Sequence, residues 1–171
     1  TPNHIKNAAI EAIKNGETKY TAVDGTPALK KAIVKKFSKD NNIEYNIDEI
    51  IVSVGGKQVL YNALMSSINP GDEVIIPAPY WVSYPDMVAL AGGIPIIVEG
   101  KEINNFKVMP EDVKNKISDK TKWIIINSPS NPTGSSYTKN ELKDLGNLLL
   151  NFENIFIMSD DIYEKIIYDD F

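Results

Sequence analysis

The sequence predicts an α/β fold, a mostly parallel sheet covered by helices on both faces. Two observations carry that prediction. From residue 50 onward, short β-branched runs alternate with longer stretches of helical periodicity, the alternation that parallel strands and their crossovers require. The runs also end in polar clusters rich in glycine and proline, and Trp123 to Gly134, WIIINSPSNPTG, is the clearest of these. Ile124, Ile125 and Ile126 read as a buried strand, and Pro129 and Pro132 stiffen the turn that follows it. Asn131 therefore stands on a rigid platform just past a strand's carboxyl end, where open α/β sheets bind ligands.

Taken in order, residues 1 to 15 read as a helix with Thr1 as cap, Pro2 at the first helical position and Ile5, Ala8, Ala9, Ala12 and Ile13 at helical spacing. Gly16 ends it, and His4 reads as a surface residue. A polar loop, 17 to 26, carries Tyr20. Thr26-Pro27 opens a second helix with Leu29, Ile33 and Phe37 on one face, and its lysines (Lys30, Lys31, Lys35, Lys36, Lys39) read as a solvated face. Ile50 to Val54 reads as a first strand, broken by Gly55-Gly56, with a helix following through Leu60, Ala63, Leu64 and Ile68. Further strands are expected at Val74–Ile76, Ile96–Val98, 123 to 127 and Ile155–Met158, with helices near Pro85 to Ala91 and from Pro110. Thr138 with Glu141 forms a capping box for the last helix, which turns Leu142, Leu145, Leu149 and Phe152 inward.

Composition narrows the function classes. The 171 residues suffice for one domain with a substantial core. With no cysteine and one histidine, disulfides, thiolate sites, cysteine nucleophiles and histidine-rich metal centres are excluded. No apolar run approaches membrane-spanning length, no signal-peptide pattern opens the chain, and a cytoplasmic protein without a membrane partner is expected. The net charge of −5 argues against nucleic acid as a partner. All 18 basic residues are lysine, so an arginine that clamps a carboxylate must lie outside this chain. Thr1 at the start and Asp169-Asp170-Phe171 at the end read as the bounds of a fragment.

Four polar clusters follow predicted strands and are expected to share one sheet edge. Gly55-Gly56-Lys57 opens a helix, where free N–H groups favour a phosphate, although an ordinary strand-to-helix turn looks the same and no Walker pattern is present. Trp81, between Tyr80 and Tyr84, offers an indole to a flat heterocycle or to the core. Asp160 can hold a proton on a ring nitrogen, or act as a helix N-cap. Tyr163, three positions on, can donate to a ring oxygen. Phosphate cradle, stacking indole, ring-nitrogen carboxylate and ring-oxygen donors together describe pyridoxal 5′-phosphate.

These residues resemble the class I pyridoxal-phosphate aminotransferases, within them the bacterial aspartate aminotransferase subgroup. The resemblance runs over nearly all of residues 1–171, through KYTAVDGTPALKKAI, VGGKQ, NPGDEVIIPAPYWVSYP, NSPSNPTG and SDDIY. It implies the cofactor-binding large domain of a fold-type I enzyme, incomplete here, with an N-terminal segment and a C-terminal small domain outside the chain. It further implies that Gly55, Gly56 and Lys57 hold the cofactor phosphate and that Trp81 stacks on the ring. Asn131 and Tyr163 would bond its phenolic oxygen and Asp160 its protonated nitrogen. Trp81 and Asn131 would also border the amino acid and 2-oxo acid substrates. Tyr20 matches a tyrosine that reaches the phosphate of the partner subunit in a homodimer. The Ala78-Pro79 and Asn131-Pro132 bonds match positions that are often cis. Asp161 stands where the family often has glutamate. The Schiff-base lysine lies, in this family, a few dozen residues past the position of Tyr163, so no catalytic residue is expected in this chain and the fragment by itself is expected to be inactive. The implied activity of the full-length protein is amino transfer from L-aspartate to 2-oxoglutarate. Alternatives are a prephenate or aromatic aminotransferase, a carbon–sulfur lyase, the aminotransferase-like sensor domain of a transcription regulator, or an α/β binding module.

Overall fold

Among the described residues four parallel strands form the sheet, and all belong to the second of two compact units, residues 1–55 and 56–171. The computed structural model describes residues 1–166 and 168. In the second unit the elements are α3 (Gly55–Ser67, entering from the first unit), β1 (Glu73–Ala78), α4 (Ser83–Leu90), β2 (Ile94–Glu99), α5 (Pro110–Lys114), β3 (Thr121–Asn127), α6 (Lys139–Leu149) and β4 (Phe156–Asp160). The strand order is β2-β1-β3-β4. Val74 pairs with Pro95 on one side of β1 and with Trp123 on the other, while Ile125 of β3 pairs with Met158 of β4.

Alternation along the central strands sends side chains into two separate cores, one on each face. Val74 and Ile76 point to a cluster with Leu60, Leu64, Tyr84 and Val88 of α3 and α4. Ile75, Ile124 and Ile126 point to the other, against Val113, Leu145 and Leu149 of α5 and α6. Burying a side chain such as Ile75 or Ile124, both fully inaccessible, contributes about 1.5–3 kcal/mol each. Trp123 fastens a helix to the sheet by donating its indole N–H to Ser67 Oγ at 2.9 Å. The expected α/β architecture with helices on both faces is thus present.

Local signals held where a side chain could satisfy them. Thr138 accepts from the Glu141 N–H at 3.3 Å while the Glu141 carboxylate accepts from the Thr138 N–H at 2.7 Å, the reciprocal box that starts α6. In that helix Leu145 and Leu149 are buried, but Leu142 is 40% exposed and lies off the inward stripe.

In the first unit, α1 spans Asn3–Lys14 and α2 spans Pro27–Lys36. Thr1 does not cap α1; Pro2 occupies the cap position, and its carbonyl accepts from the N–H groups of Ile5 and Lys6. Thr26 caps α2 by accepting from the Leu29 N–H, as its position before Pro27 suggests. Lys30 departs from the solvated lysine face. It is 7% exposed and ion-paired with Asp24, and the hydrogen bond from its ammonium draws the Asp24 carboxyl below the usual carboxylate range. The expected strand at 50 to 54 is not a strand. Ile50 has extended backbone angles and the Val52 N–H donates to the Asp24 carbonyl, yet no strand forms over 50 to 54, and Ile51 and Val54 are exposed. β-branched residues favour extended backbone, but a strand exists only where a neighbour supplies the ladder. Gly25 is required beside it: φ is +107° and a Cβ would meet Val52 at 2.7 Å.

Leu64, fully buried between α3 and the sheet, tests the first core. Leu64→Ala is expected to lower unfolding free energy by about 2–5 kcal/mol in denaturant titrations, while the same change at exposed Leu150 stays within about 0.5 kcal/mol.

Candidate active site

The chain leaves β1 toward β2 on one side and returns to β3 on the other side of β1. Adjacent strands whose connections depart in opposite directions leave a crevice outside their carboxyl ends, the usual ligand position in such sheets. From β1 comes Ala78-Pro79-Tyr80-Trp81, and from β3 comes the turn that carries Asn131. Ala78-Pro79 and Asn131-Pro132 are both cis, as the family positions suggest, and Ser128-Pro129 is cis as well.

A cavity of about 530 Å³ opens there, lined by Gly56, Lys57, Trp81, Asn131, Asp160 and Tyr163 among others. Six of the eight sequence-predicted site residues therefore meet in one place. The volume suits a ligand of cofactor size. Gly55 begins α3 with φ of +78°, and a Cβ at Gly55 or Gly56 would meet nothing within 4 Å, so the backbone at this helix start is open to a ligand. Tyr20 belongs to the first unit, where it is fully exposed. The cluster at 55 to 57 follows an extended segment rather than the strand expected before it, so only three clusters end strands.

Each wall has a physical reason to be where it is. The Lys57 ammonium lies over the Trp81 ring, 4.9 Å from its centre, a cation–π contact that joins the two walls. Trp81 meets Tyr84 edge to face at 5.4 Å, which holds the indole plane. Asp160 closes β4, its carboxylate Oδ2 accepting from the Tyr84 hydroxyl at 2.7 Å and its Oδ1 from the Ile162 N–H at 3.4 Å. Asp160 is thus held by a bond to its own loop, which forms a turn rather than the helix an N-cap would start, and by a tyrosine 76 positions away.

Two site residues escaped the sequence reading as working parts. Tyr84 appeared there as a flank of Trp81, yet it is 2% exposed and supports both the indole and the carboxylate. Burial first, and the Asp160 carboxylate second, push its hydroxyl far above the usual tyrosine range. Asn127 donates from Nδ2 to the Asp160 carbonyl at 2.8 Å and accepts at Oδ1 from the Asn131 N–H at 2.8 Å, joining β3, β4 and the turn. For Tyr84 the available signal was nearness in sequence: Trp81, just before α4, and Tyr84, in its first turn, lie three positions apart and their rings meet.

The donor set fits a phosphorylated pyridine. A cation and open helix N–H groups suit the phosphate, the indole suits a ring face, the carboxylate suits a protonated nitrogen, and an amide and a phenol suit an oxygen. Among the described residues no group of acidic or histidine side chains could hold a metal ion, and no helix is long and apolar enough to cross a membrane.

Comparison with known proteins agrees. The sequence model for aminotransferases of class I and II matches residues 1–171. The chain belongs to this family. Its members depend on pyridoxal phosphate. A Rickettsia conorii protein named "Probable aspartate/prephenate aminotransferase" is 60% identical over the whole chain, which covers 43% of that protein. The structure of aspartate aminotransferase from Rhizobium meliloti superposes with a TM-score of 0.98 at 47% identity, covering 100% of this chain and 43% of that one. Aspartate aminotransferase from Thermus thermophilus, solved with maleate, gives 0.95 at 43% identity, covering 99% and 44%. The chain spans under half the length of these relatives.

Tyr84→Phe removes the donor to Asp160 and is expected to cost about 1–2 kcal/mol of stability in denaturant titrations. A pH series separates this from simple repacking. Tyr84 keeps its proton in the folded chain while the unfolded chain ionises near pH 10, so its contribution is complete below about pH 10 and falls as pH rises. Stability of the native chain should decline more steeply above that pH than stability of Tyr84→Phe.

Proposed function

We propose that the protein containing this chain is a pyridoxal-phosphate aminotransferase that passes the amino group of L-aspartate to 2-oxoglutarate. The convergence of Lys57, Trp81, Asn131, Asp160 and Tyr163 on one cavity carries the reading. When bound, the cofactor supplies a pyridinium ring that accepts the electron pair left when the substrate loses its α-proton. The Asp160 carboxylate, held by Tyr84, would pair with the protonated ring nitrogen. Asn131 and Tyr163 donate to the phenolic oxygen, and Trp81 covers one ring face. The N–H groups of Gly55 and Gly56 with the Lys57 ammonium hold the phosphate. Trp81 and Asn131 also border the substrate.

Tyr20, exposed in its own unit, reaches the phosphate held by the partner subunit of a homodimer. The chain serves as the cofactor-binding part of a longer enzyme acting in the cytoplasm, in keeping with its share of about 43% of its relatives' length. The lysine that bonds covalently to the cofactor then belongs to the remainder of that enzyme, as does the arginine for the substrate carboxylate. The relatives' names favour aspartate as donor, and maleate, solved with the Thermus protein, is a four-carbon dicarboxylate like aspartate. The name of the Rickettsia protein supports prephenate as a second amino acceptor.

The test uses the full-length protein incubated with pyridoxal phosphate, reduced with borohydride and mapped by mass. A pyridoxyl adduct on one lysine beyond residue 171 is expected, with aspartate-dependent transamination before reduction. Asp160→Ala should slow that transamination by at least about 100-fold. No adduct, and a visible spectrum indifferent to aspartate, would remove the enzyme reading and favour a sensor domain.

A further inference from the structure

Asn131 also lines a second, smaller and more enclosed cavity of about 30 Å³, together with Tyr80, Asn127, Tyr137 and Lys107 among others. Lys107 has no part in the cofactor reading. Its side chain is only 12% exposed, and its ammonium is held by both Glu141 oxygens, at 2.6 and 2.8 Å. A lysine so enclosed needs its partner, because an unpaired charge there would be costly. Such pairs contribute little net stability, but they define geometry, since removing either partner strands the other.

The surroundings show which geometry is defined. The turn after β3 closes on itself through Ser130 N–H to the Ser135 carbonyl and Gly134 N–H to the Ser130 carbonyl. Two bonds join it to the 105 to 108 segment: Ser135 Oγ donates to the Asn105 carbonyl at 2.6 Å, and the Val108 N–H donates to Tyr137 Oη at 3.1 Å. Lys107 ties the same segment to Glu141 in the first turn of α6, which the Asn131 turn leads into. That segment is itself braced on the end of β1. Gly100 N–H donates to the Ala78 carbonyl at 2.7 Å, and a Cβ at Gly100 would overlap the carbonyls of Phe106 and Ala78. Residues 100 to 108 therefore form a strap that ties the Ala78-Pro79 turn to the Asn131 turn.

We infer that the Lys107–Glu141 pair is the latch of this strap and that Lys107 is a positioning residue for Asn131, the ring-oxygen donor of the cofactor site. The inference rests on the cofactor reading above. Glu141 keeps its capping bond to the Thr138 N–H without Lys107, so loss of the lysine loosens the strap beside the turn without removing the start of α6.

The experiment uses the full-length enzyme loaded with pyridoxal phosphate. Two quantities are measured: the cofactor dissociation constant, and the pH midpoint of the visible absorbance of the bound cofactor, which reports the donors to its phenolic oxygen. Lys107→Met is expected to weaken binding about three- to tenfold and to move the midpoint in the same direction as Asn131→Ala. Lys107→Arg should stay near wild type. Adding Lys107→Met to Asn131→Ala should change neither quantity further, since both act through one side chain. If Lys107→Met leaves both quantities unchanged while Asn131→Ala moves them, or if the two changes add independently, the latch is overturned. If Asn131→Ala moves neither, the cofactor reading itself fails, and the latch with it. Should Lys107→Met not fold, Tyr137→Phe, which loosens the same strap by one hydroxyl, is measured under the same criteria.

Discussion

The side chain of Asn127 is the interaction on which the site depends. It stands at the end of β3, where the ladder stops and backbone groups lose their partners. One amide then serves both neighbours, donating to the carbonyl of Asp160 and accepting the N–H of Asn131. A carboxylate on β4 and an amide on a turn are thereby held at a fixed separation. Aspartate in place of Asn127 would offer only acceptors and lose the bond to Asp160. Asparagine meets both demands because its amide carries donors and an acceptor together.

The sheet supplies what that amide anchors. Because β2 and β3 flank β1, the connections on the two sides of β1 diverge and leave a crevice at the carboxyl ends. Trp81 enters from β1, Asn131 from β3 and Asp160 from β4. Tyr84 then links two of these walls from below, touching the indole with its ring edge geometry and the carboxylate with its hydroxyl. Such a site is built from short, locally rigid pieces on a buried scaffold, so its side chains need little reordering when a ligand enters.

Much of this was legible in the sequence. The strands at β1 to β4 were marked by β-branched runs between glycine and proline turns, and the box at Thr138 and Glu141 needed only its own four residues. The meeting of candidate residues at one cavity was legible where motif and spacing coincided, as with Asn131, Asp160 and Tyr163. Errors came where a local signal required a partner that the sequence does not display. Ile50 to Val54 has the residues of a strand without a ladder beside it. Lys30 looked like one of several surface lysines until Asp24 folded onto it. Leu142 had helical spacing but fell outside the buried stripe.

By itself the sequence determined the element types, the turns and the chemical kinds of group available, because these depend on φ preferences, capping and periodicity within a few residues. The tertiary structure alone decided the strand order, the place of the crevice and the partners that hold the site. Tyr84 and Asp160 are 76 positions apart, and Lys107 and Glu141 are 34 apart. No periodicity reaches across such distances. Which groups meet is set by how the strands are ordered and packed, and that order follows from the burial of both sheet faces at once.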